Sequence, residues 1–271
     1  MQAEQSRPSA LITGASDGIG RELARVFASR GHDVVLVARR APLLEALAAE
    51  LAARHGVRAF ALACDLTEPD APQRVFERTR QLGLHVSTLV NNAGLMEFGA
   101  FTATPLERLT AMPALNAVAS LALTRLFLPP MIAARRGRIL NLGSTGSFAP
   151  MPSLAVYAAT KAFILSLSEA LSEELQGTGV SVTCCCPGFT ETHMAQQIDG
   201  VERLKGVAPL LDPAEVARDA YQACMRGEVV RVPGVANQLL IRALGVPPRS
   251  LVRWLGGAIG RRAMHAPSPH G

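Results

Sequence analysis

Short apolar runs punctuate the chain at Ala10–Thr13, Val34–Ala38, Ala59–Ala63, Thr88–Asn91, Arg138–Leu142 and Val180–Cys185. Runs of about four to eight residues with little polar alternation fit strands of a parallel sheet covered on both faces. Amphipathic stretches lie between them, and Ile19–Ser29, Pro42–Arg54, Pro69–Gln81, Pro105–Ala134 and Ser153–Gln176 are predicted helices. Asp212 followed by Pro213 is the signature of an N-cap and a first helical proline, opening a helix to about Cys224. Pro113 is expected to break or kink the long fourth helix. Strands alternating with helices across short connections predict a doubly wound, three-layer α/β sheet. Neither a repeat nor a low-complexity linker divides the sequence, so residues 1–271 read as a single domain. Its core runs from about 9 to 232, with a substrate-loop segment near 189–211 and a basic extension near 233–265.

Composition supports this reading. Of 271 residues, 49% are hydrophobic and only 4% aromatic, which suits a large core of aliphatic helices packed on a sheet. No uninterrupted apolar run reaches the roughly 18 residues of a membrane span. The first residues, MQAEQSRP, carry no apolar leader. Three of the five cysteines are consecutive, Cys184, Cys185 and Cys186, a spacing that suits neither a disulfide framework nor a metal site. They are expected to be reduced thiols in a buried strand, and the protein cytoplasmic.

The net charge of +5 is uneven. From Arg226 onward seven arginines face one acid, Glu228, a surplus of six that leaves the preceding residues one charge negative. No basic stripe is interleaved with aromatics, so nucleic acid is not an expected partner. The stretches Asn237–Gly245 and Ser250–Arg262 mix arginines with apolar residues and the single tryptophan, Trp254. Such a segment can dock on its own domain with the arginines in solvent, cover the substrate site, pack on a partner subunit, or touch an anionic membrane surface weakly.

The candidate chemistry begins with Tyr157 and Lys161, four residues apart in the predicted helix and so on one face. A free tyrosine ionises near ~10. A neighbouring cation favours the phenolate and draws that value toward neutrality, where proton exchange is easiest. After the first strand, Gly14, Gly18 and Gly20 stand in TGASDGIG, where a helix opens. Glycines there let the main chain approach a pyrophosphate, and the helix N-terminus adds N–H donors and positive charge.

The glycine spacing, NNAG at 91–94, Asn116, Ser144, Tyr157 with Lys161, and Pro187-Gly188 together resemble the compact branch of the short-chain dehydrogenase/reductase family, in order and spacing, over about residues 9–192. The resemblance implies a Rossmann fold holding a nicotinamide dinucleotide at the carboxyl ends of the strands. By that resemblance Gly14, Ser16, Asp17, Gly18, Ile19 and Gly20 form the pyrophosphate loop. Asp65, beside Leu66, meets the adenine amino group, unless it serves only as a turn or cap. Asn92, Ala93 and Gly94 line the adenosine ribose, while Asn91 secures neighbouring strands. Pro187, Gly188, Thr190 and Thr192 wrap the nicotinamide.

The same resemblance makes Tyr157 the general acid/base, Lys161 its tuner and a ribose ligand, Ser144 the group that orients the substrate oxygen, and Asn116 the holder of a water linking Lys161 to solvent. The Tyr–Lys spacing favours carbonyl/alcohol redox chemistry over enoyl reduction, and the glycine loop and chain length set it apart from the sugar-nucleotide branch. At the end of the second strand Arg39 and Arg40 stand where NAD-preferring relatives carry an acid; guanidinium suits a 2′-phosphate, so NADP(H) is favoured over NAD(H). Asp17 runs against this, since NADP-binding relatives often carry a basic residue before the second glycine. Met96, Phe98, Gly146, Phe148, Met151, Phe189 and Met194 are the expected substrate wall, suiting a hydrophobic ketone, aldehyde or secondary alcohol. Residues 192–211, with Gly200 and Gly206, are the candidate lid. A homodimer or homotetramer is implied through the helices around 105–134 and 153–176. The rival functions are a redox-silent dinucleotide sensor or scaffold on the same fold and a peripheral membrane lipid-binding protein.

Overall fold

The computed structural model describes residues 7–192 and 210–244. Met194, most of the candidate lid and the Trp254 segment lie outside the described residues.

The sheet is built from β1 (Ser9–Thr13), β2 (Asp33–Ala38), β3 (Ala59–Ala63), β4 (Val86–Asn91), β5 (Gly137–Leu142), β6 (Val180–Cys185) and β7 (Val230–Arg231). Its order is β3-β2-β1-β4-β5-β6-β7, and every pairing is parallel. The six predicted strands are all present. The seventh was not anticipated: two residues, paired to Cys184 and Cys185, carry no periodicity. Around the sheet lie α1 (Gly18–Ser29), α2 (Ala41–His55), α3 (Ala71–Gln81), α4 (Leu106–Pro113), α5 (Ser120–Ala133), α6 (Ala155–Glu174), α7 (Pro213–Arg226) and α8 (Val235–Leu244).

Alternation within the buried strands sorts side chains between two cores. Ala10, Ile12, Val34 and Leu36 point to one face, under Leu23 and Phe27 of α1, Leu44 and Leu51 of α2, and Ala217 and Ala220 of α7. Leu11, Val35, Val37 and Leu89 point to the other, under Val75 of α3 and Leu123, Phe127 and Met131 of α5. Burying each large aliphatic or aromatic side chain contributes about 1.5–3 kcal/mol, which holds both helix layers on the sheet. The strand order turns back between β2 and β4, either side of β1. The carboxyl ends there open into the crevice where doubly wound sheets take their ligands.

Pro113 does not break the fourth helix. Ala114 keeps helical angles (φ −57°, ψ −48°), and a π-helical turn, Ala114–Ala119, joins α4 to α5. Proline lacks the N–H and crowds the carbonyl one turn back; here the helix runs on past it into the wider π turn. The continuous run Leu106–Ala133 is long and apolar enough to cross a membrane, which counting uninterrupted apolar residues missed. Here it is a core helix, burying Met112, Leu123, Phe127 and Met131. Asp212 caps α7 as expected, accepting from the Ala214 N–H at 2.9 Å, and Gly227 ends the helix in the left-handed region (φ +68°). The five cysteines are free thiols, with Cys184, Cys185 and Cys186 fully buried.

Candidate active site

The loop after β1 is shaped by contacts that exclude side chains. Gly14 (φ +68°) and Gly18 (φ +53°) are left-handed, where other residues are strained. A Cβ on Gly14 would meet the Asn92 amide at 2.7 Å, and one on Gly18 would meet the Thr192 methyl at 2.9 Å. The Asn92 amide in turn donates to the Thr13 carbonyl at 2.8 Å. Thr13 Oγ1 donates to Val90 O at 3.1 Å and accepts from the main-chain N–H groups of Asn92 and Ala93 at 2.9 and 3.0 Å. Thr13, which motif reading passed over, therefore rivets the glycine loop to the β4 end. Asn91 secures the strands as expected, donating to Asn141 Oδ1 at 2.8 Å and Thr124 Oγ1 at 3.1 Å.

Asp17 caps α1, accepting from the Gly18 N–H at 2.7 Å, and stands 3.6 Å from Arg40. Arg40 also donates to Ser16 Oγ at 3.1 Å. Arg39 is more exposed and lies 4.0 Å from Asp65. Asp65 accepts from the Thr67 N–H at 3.0 Å and hydroxyl at 2.8 Å, so the turn role is real and coexists with a place in the cleft.

Ser144 caps a short 3-10 turn, Thr145–Ser147. Its hydroxyl accepts from the Gly146 N–H at 3.1 Å, and Ser147 Oγ accepts from the Ser144 N–H at 3.2 Å. This reciprocal cap fixes the Ser144 rotamer. Tyr157 and Lys161 lie one turn apart on α6. Lys161 Nζ donates to Leu142 O at 2.7 Å and stands 5.8 Å from the centre of the Tyr157 ring. Asn116 sits in the π-helical turn, a place where such turns often serve function. Its amide donates to Leu95 O at 2.9 Å and Thr160 Oγ1 at 3.0 Å, while its oxygen accepts from the Leu95 N–H at 2.8 Å. Both donors are engaged within the protein. Asn116 is first of all a clamp between the Leu95 loop and α6, and only the second lone pair of its oxygen is left for a water.

A cleft of about 450 Å³ joins these parts. Every residue assigned to the dinucleotide lines it, from Gly14, Arg39 and Asp65 at one end to Gly188, Thr190 and Thr192 at the other. Ser144, Tyr157 and Lys161 line it too, with Met96, Met151 and Phe189 from the expected substrate wall. Phe148 corrects the expectation: it packs on Ile164, Leu165, Cys184 and Cys186 in a core cluster. Phe98 is half-buried but outside the cleft lining. Gly146 lies behind the lining, where a Cβ would meet Met151 Sδ at 2.9 Å.

Residues 8–202 match the family model described as short chain dehydrogenase. The chain belongs to the short-chain dehydrogenase family. It is 38% identical over 193 residues to a very-long-chain 3-oxoacyl-CoA reductase of Phaeosphaeria nodorum, covering 69% of this chain and 56% of that protein. The chain thus spans about half the length of the curated relatives it matches. Among solved structures, it resembles a short-chain dehydrogenase from Sphingobium yanoikuyae in complex with NADPH, with 34% identity, 97% of this chain and 98% of that chain covered, and a TM-score of 0.76. It also resembles the bulky-bulky ketone specific alcohol dehydrogenase from Comamonas testosteroni, with 29% identity, 97% and 96% covered, and a TM-score of 0.74.

The electrostatics of this short-chain dehydrogenase differ from the expectation drawn from spacing. Burial raises the Tyr157 phenol above its ordinary value, and a hydrogen bond with Ser144 opposes that rise. Lys161 is not what offsets it, because its ammonium is turned to Leu142 O. Burial pulls Lys161 itself down to about 8. Burial would raise Asp65 too, but the Thr67 bonds and the Arg39 charge outweigh it and hold the carboxyl low.

The residues fit a nicotinamide dinucleotide, the cofactor class of the short-chain dehydrogenases. The glycine loop is a cradle that a Cβ would fill, it opens at a helix N-terminus, and two guanidinium groups stand at its rim. When bound there, the cofactor gives or takes the hydride. Tyr157 and Ser144 both line the cleft, with the Tyr157 phenol and the Ser144 hydroxyl as polar groups there.

Proposed function

We propose that this short-chain dehydrogenase interconverts a hydrophobic ketone or aldehyde and its alcohol with NADP(H), Tyr157 acting as general acid/base. The observation that carries the reading is that Ser144, Tyr157 and Lys161 line one cleft with the glycine loop and Arg39. In reduction Tyr157 passes its proton to the carbonyl oxygen; in oxidation it takes the alcohol proton. Lys161 is buried 5.8 Å from the centre of the Tyr157 ring, its ammonium held by Leu142 O. Met96, Met151 and Phe189 offer an apolar wall to the substrate.

The cofactor choice rests on Arg39. Arg40 is already shared with Asp17 and Ser16, whereas Arg39 stands at the rim and, among the described residues, has a single ion-pair contact, Asp65 at 4.0 Å. A 2′-phosphate would meet Arg39 first, and NAD(H) is the competing cofactor. A 3-oxoacyl thioester, the substrate type in the fungal relatives' name, is itself a ketone with an apolar chain and belongs among the candidates. The test is a panel of hydrophobic ketones, aldehydes, 3-oxoacyl-CoA esters and alcohols, followed by absorbance of the reduced nicotinamide with both cofactors. Turnover with NADPH well above NADH supports the reading; no turnover of any carbonyl with either cofactor counts against it.

Exposed Val118, Leu121 and Phe163, on the π turn, α5 and α6, support pairing with a second copy of the chain, testable by light scattering. Exposed Val235, Leu239 and Leu240 on α8, with the surplus of arginines from Arg226 onward, support weak contact with an anionic membrane surface, testable by vesicle flotation.

A further inference from the structure

Gly188 lies in the cleft wall beyond β6, and among the described residues the three atoms nearest to where its side chain would start belong to Asn237. A Cβ on Gly188 would sit 2.6 Å from Asn237 Nδ2, 2.7 Å from Oδ1 and 2.9 Å from Cγ. Asn237 belongs to the first turn of α8, about fifty residues further along the chain, and does not line the cleft itself. It is 3% exposed, and its amide donates to Pro233 O at 2.9 Å. The next residue repeats the tie, Gln238 donating to Val232 O at 2.9 Å. Helix α8 is thereby fastened to the strand end at β7, and β7 is paired to β6.

The rest of the 187–191 loop is pinned from other sides. Pro187 O accepts from the Thr145 N–H, next to Ser144, at 2.9 Å. Phe189 O accepts from the Leu211 N–H at 2.9 Å, and the Glu191 N–H donates to Leu211 O at 3.0 Å. Asn237 covers the outer side of Gly188, where these main-chain bonds do not reach.

We propose that Asn237 is a positioning residue: it backs Gly188 and holds the Pro187–Gly188 wall of the cleft against the nicotinamide end of the cofactor. This rests on the NADP(H) reading above. A planar amide anchored to Pro233 is a stiff backing for a residue that has no side chain of its own. Removing it lets the wall retreat from the cleft, while the glycine loop and the catalytic side chains stay where their own bonds hold them.

The test uses the whole chain with three substitutions. Asn237→Ala should weaken NADPH binding about tenfold, the scale of losing one buried, well-packed polar contact. Asn237→Leu, which keeps the cover but loses the Pro233 bond, should recover most of that affinity. Gly188→Ala should weaken NADPH by at least as much as Asn237→Ala, and the double variant Gly188→Ala/Asn237→Ala should bind better than Gly188→Ala alone, because the colliding amide is gone. NADPH deuterated on one face of C4 gives a second readout: wild type should transfer label from one face only, and Asn237→Ala should leak toward the other. A lower melting temperature with unchanged NADPH affinity and face selection would make Asn237 purely structural and overturn the proposal. So would a double variant no better than Gly188→Ala. Failure of wild type to reduce any carbonyl would sink the NADP(H) reductase reading instead, and the affinity series would still decide the role of Asn237.

Discussion

Lys161 gives its ammonium proton to the main-chain oxygen of Leu142, not to the hydroxyl of Tyr157 one helical turn away. The lysine is thereby tied to the end of β5, two residues before Ser144.

Burial with no carboxylate partner among the described residues makes Lys161 a source of pH-dependent stability. Free lysine holds its proton to about pH 10.4; in the fold Lys161 releases it near about 8. Between those values the unfolded chain binds more protons, so stability rises with pH across that window, and below it the full cost of burying the charge remains. Lys161→Met should therefore be more stable than wild type at pH 7 by about 1–3 kcal/mol, with the gap closing toward pH 10 and turnover abolished throughout. Urea titrations across pH check this; a variant less stable than wild type at pH 7 would mean the Leu142 bond outweighs desolvation.

Tyr157→Phe should lower turnover by about 10²–10⁴-fold, the usual scale of a general acid/base. NADPH affinity should barely change. Ser144→Ala removes the hydrogen bond that opposes burial, so the phenol moves further up. Because alcohol oxidation needs the phenolate, its rising limb should shift to higher pH in Ser144→Ala. Near wild-type turnover in the Phe variant would remove Tyr157 from the mechanism.

Arg39→Asp should weaken NADPH by about tenfold or more while leaving NADH nearly unchanged, since one charge-assisted contact to phosphate is at stake. Arg40→Ala should matter less, because Asp17 and Ser16 already hold that guanidinium. Equal losses for both cofactors would show that Arg39 does not read the phosphate.

Gly20→Ala should cost both stability and cofactor affinity. Its Cβ would land on the Gly14 carbonyl oxygen and the Asn92 amide, and main chain cannot swing aside as a side chain can. Overpacking of this kind typically destabilises by about 1–3 kcal/mol. A Gly20→Ala variant with wild-type melting temperature and NADPH affinity would mean the loop relaxes freely.

Much of the fold is legible in single residues and their spacing. Leu11 and Ile12 declare a strand buried on both faces, because adjacent side chains there must each find an apolar layer. Gly14, Gly18 and Gly20 declare a loop no side chain can enter, and Tyr157 and Lys161 share a helix face by periodicity alone. These are local facts, carried by the geometry of a few consecutive residues.

Contacts between distant segments follow no such period. Met151 and Phe148 are equally plausible pocket residues by type, yet Met151 lines the cleft and Phe148 turns to Ile164 and Cys184. Arg39 and Arg40 look interchangeable until Asp17 takes one of them. Val230–Arg231 is too short to signal a strand and becomes one only because β6 offers it an edge. The sequence by itself determined the layers, the cradle and the shared helix face of Tyr157 and Lys161, since periodicity and backbone freedom are written residue by residue. Tertiary structure alone decided that Lys161 faces Leu142 and that Asn237 backs Gly188, because those partners are set by how the elements pack.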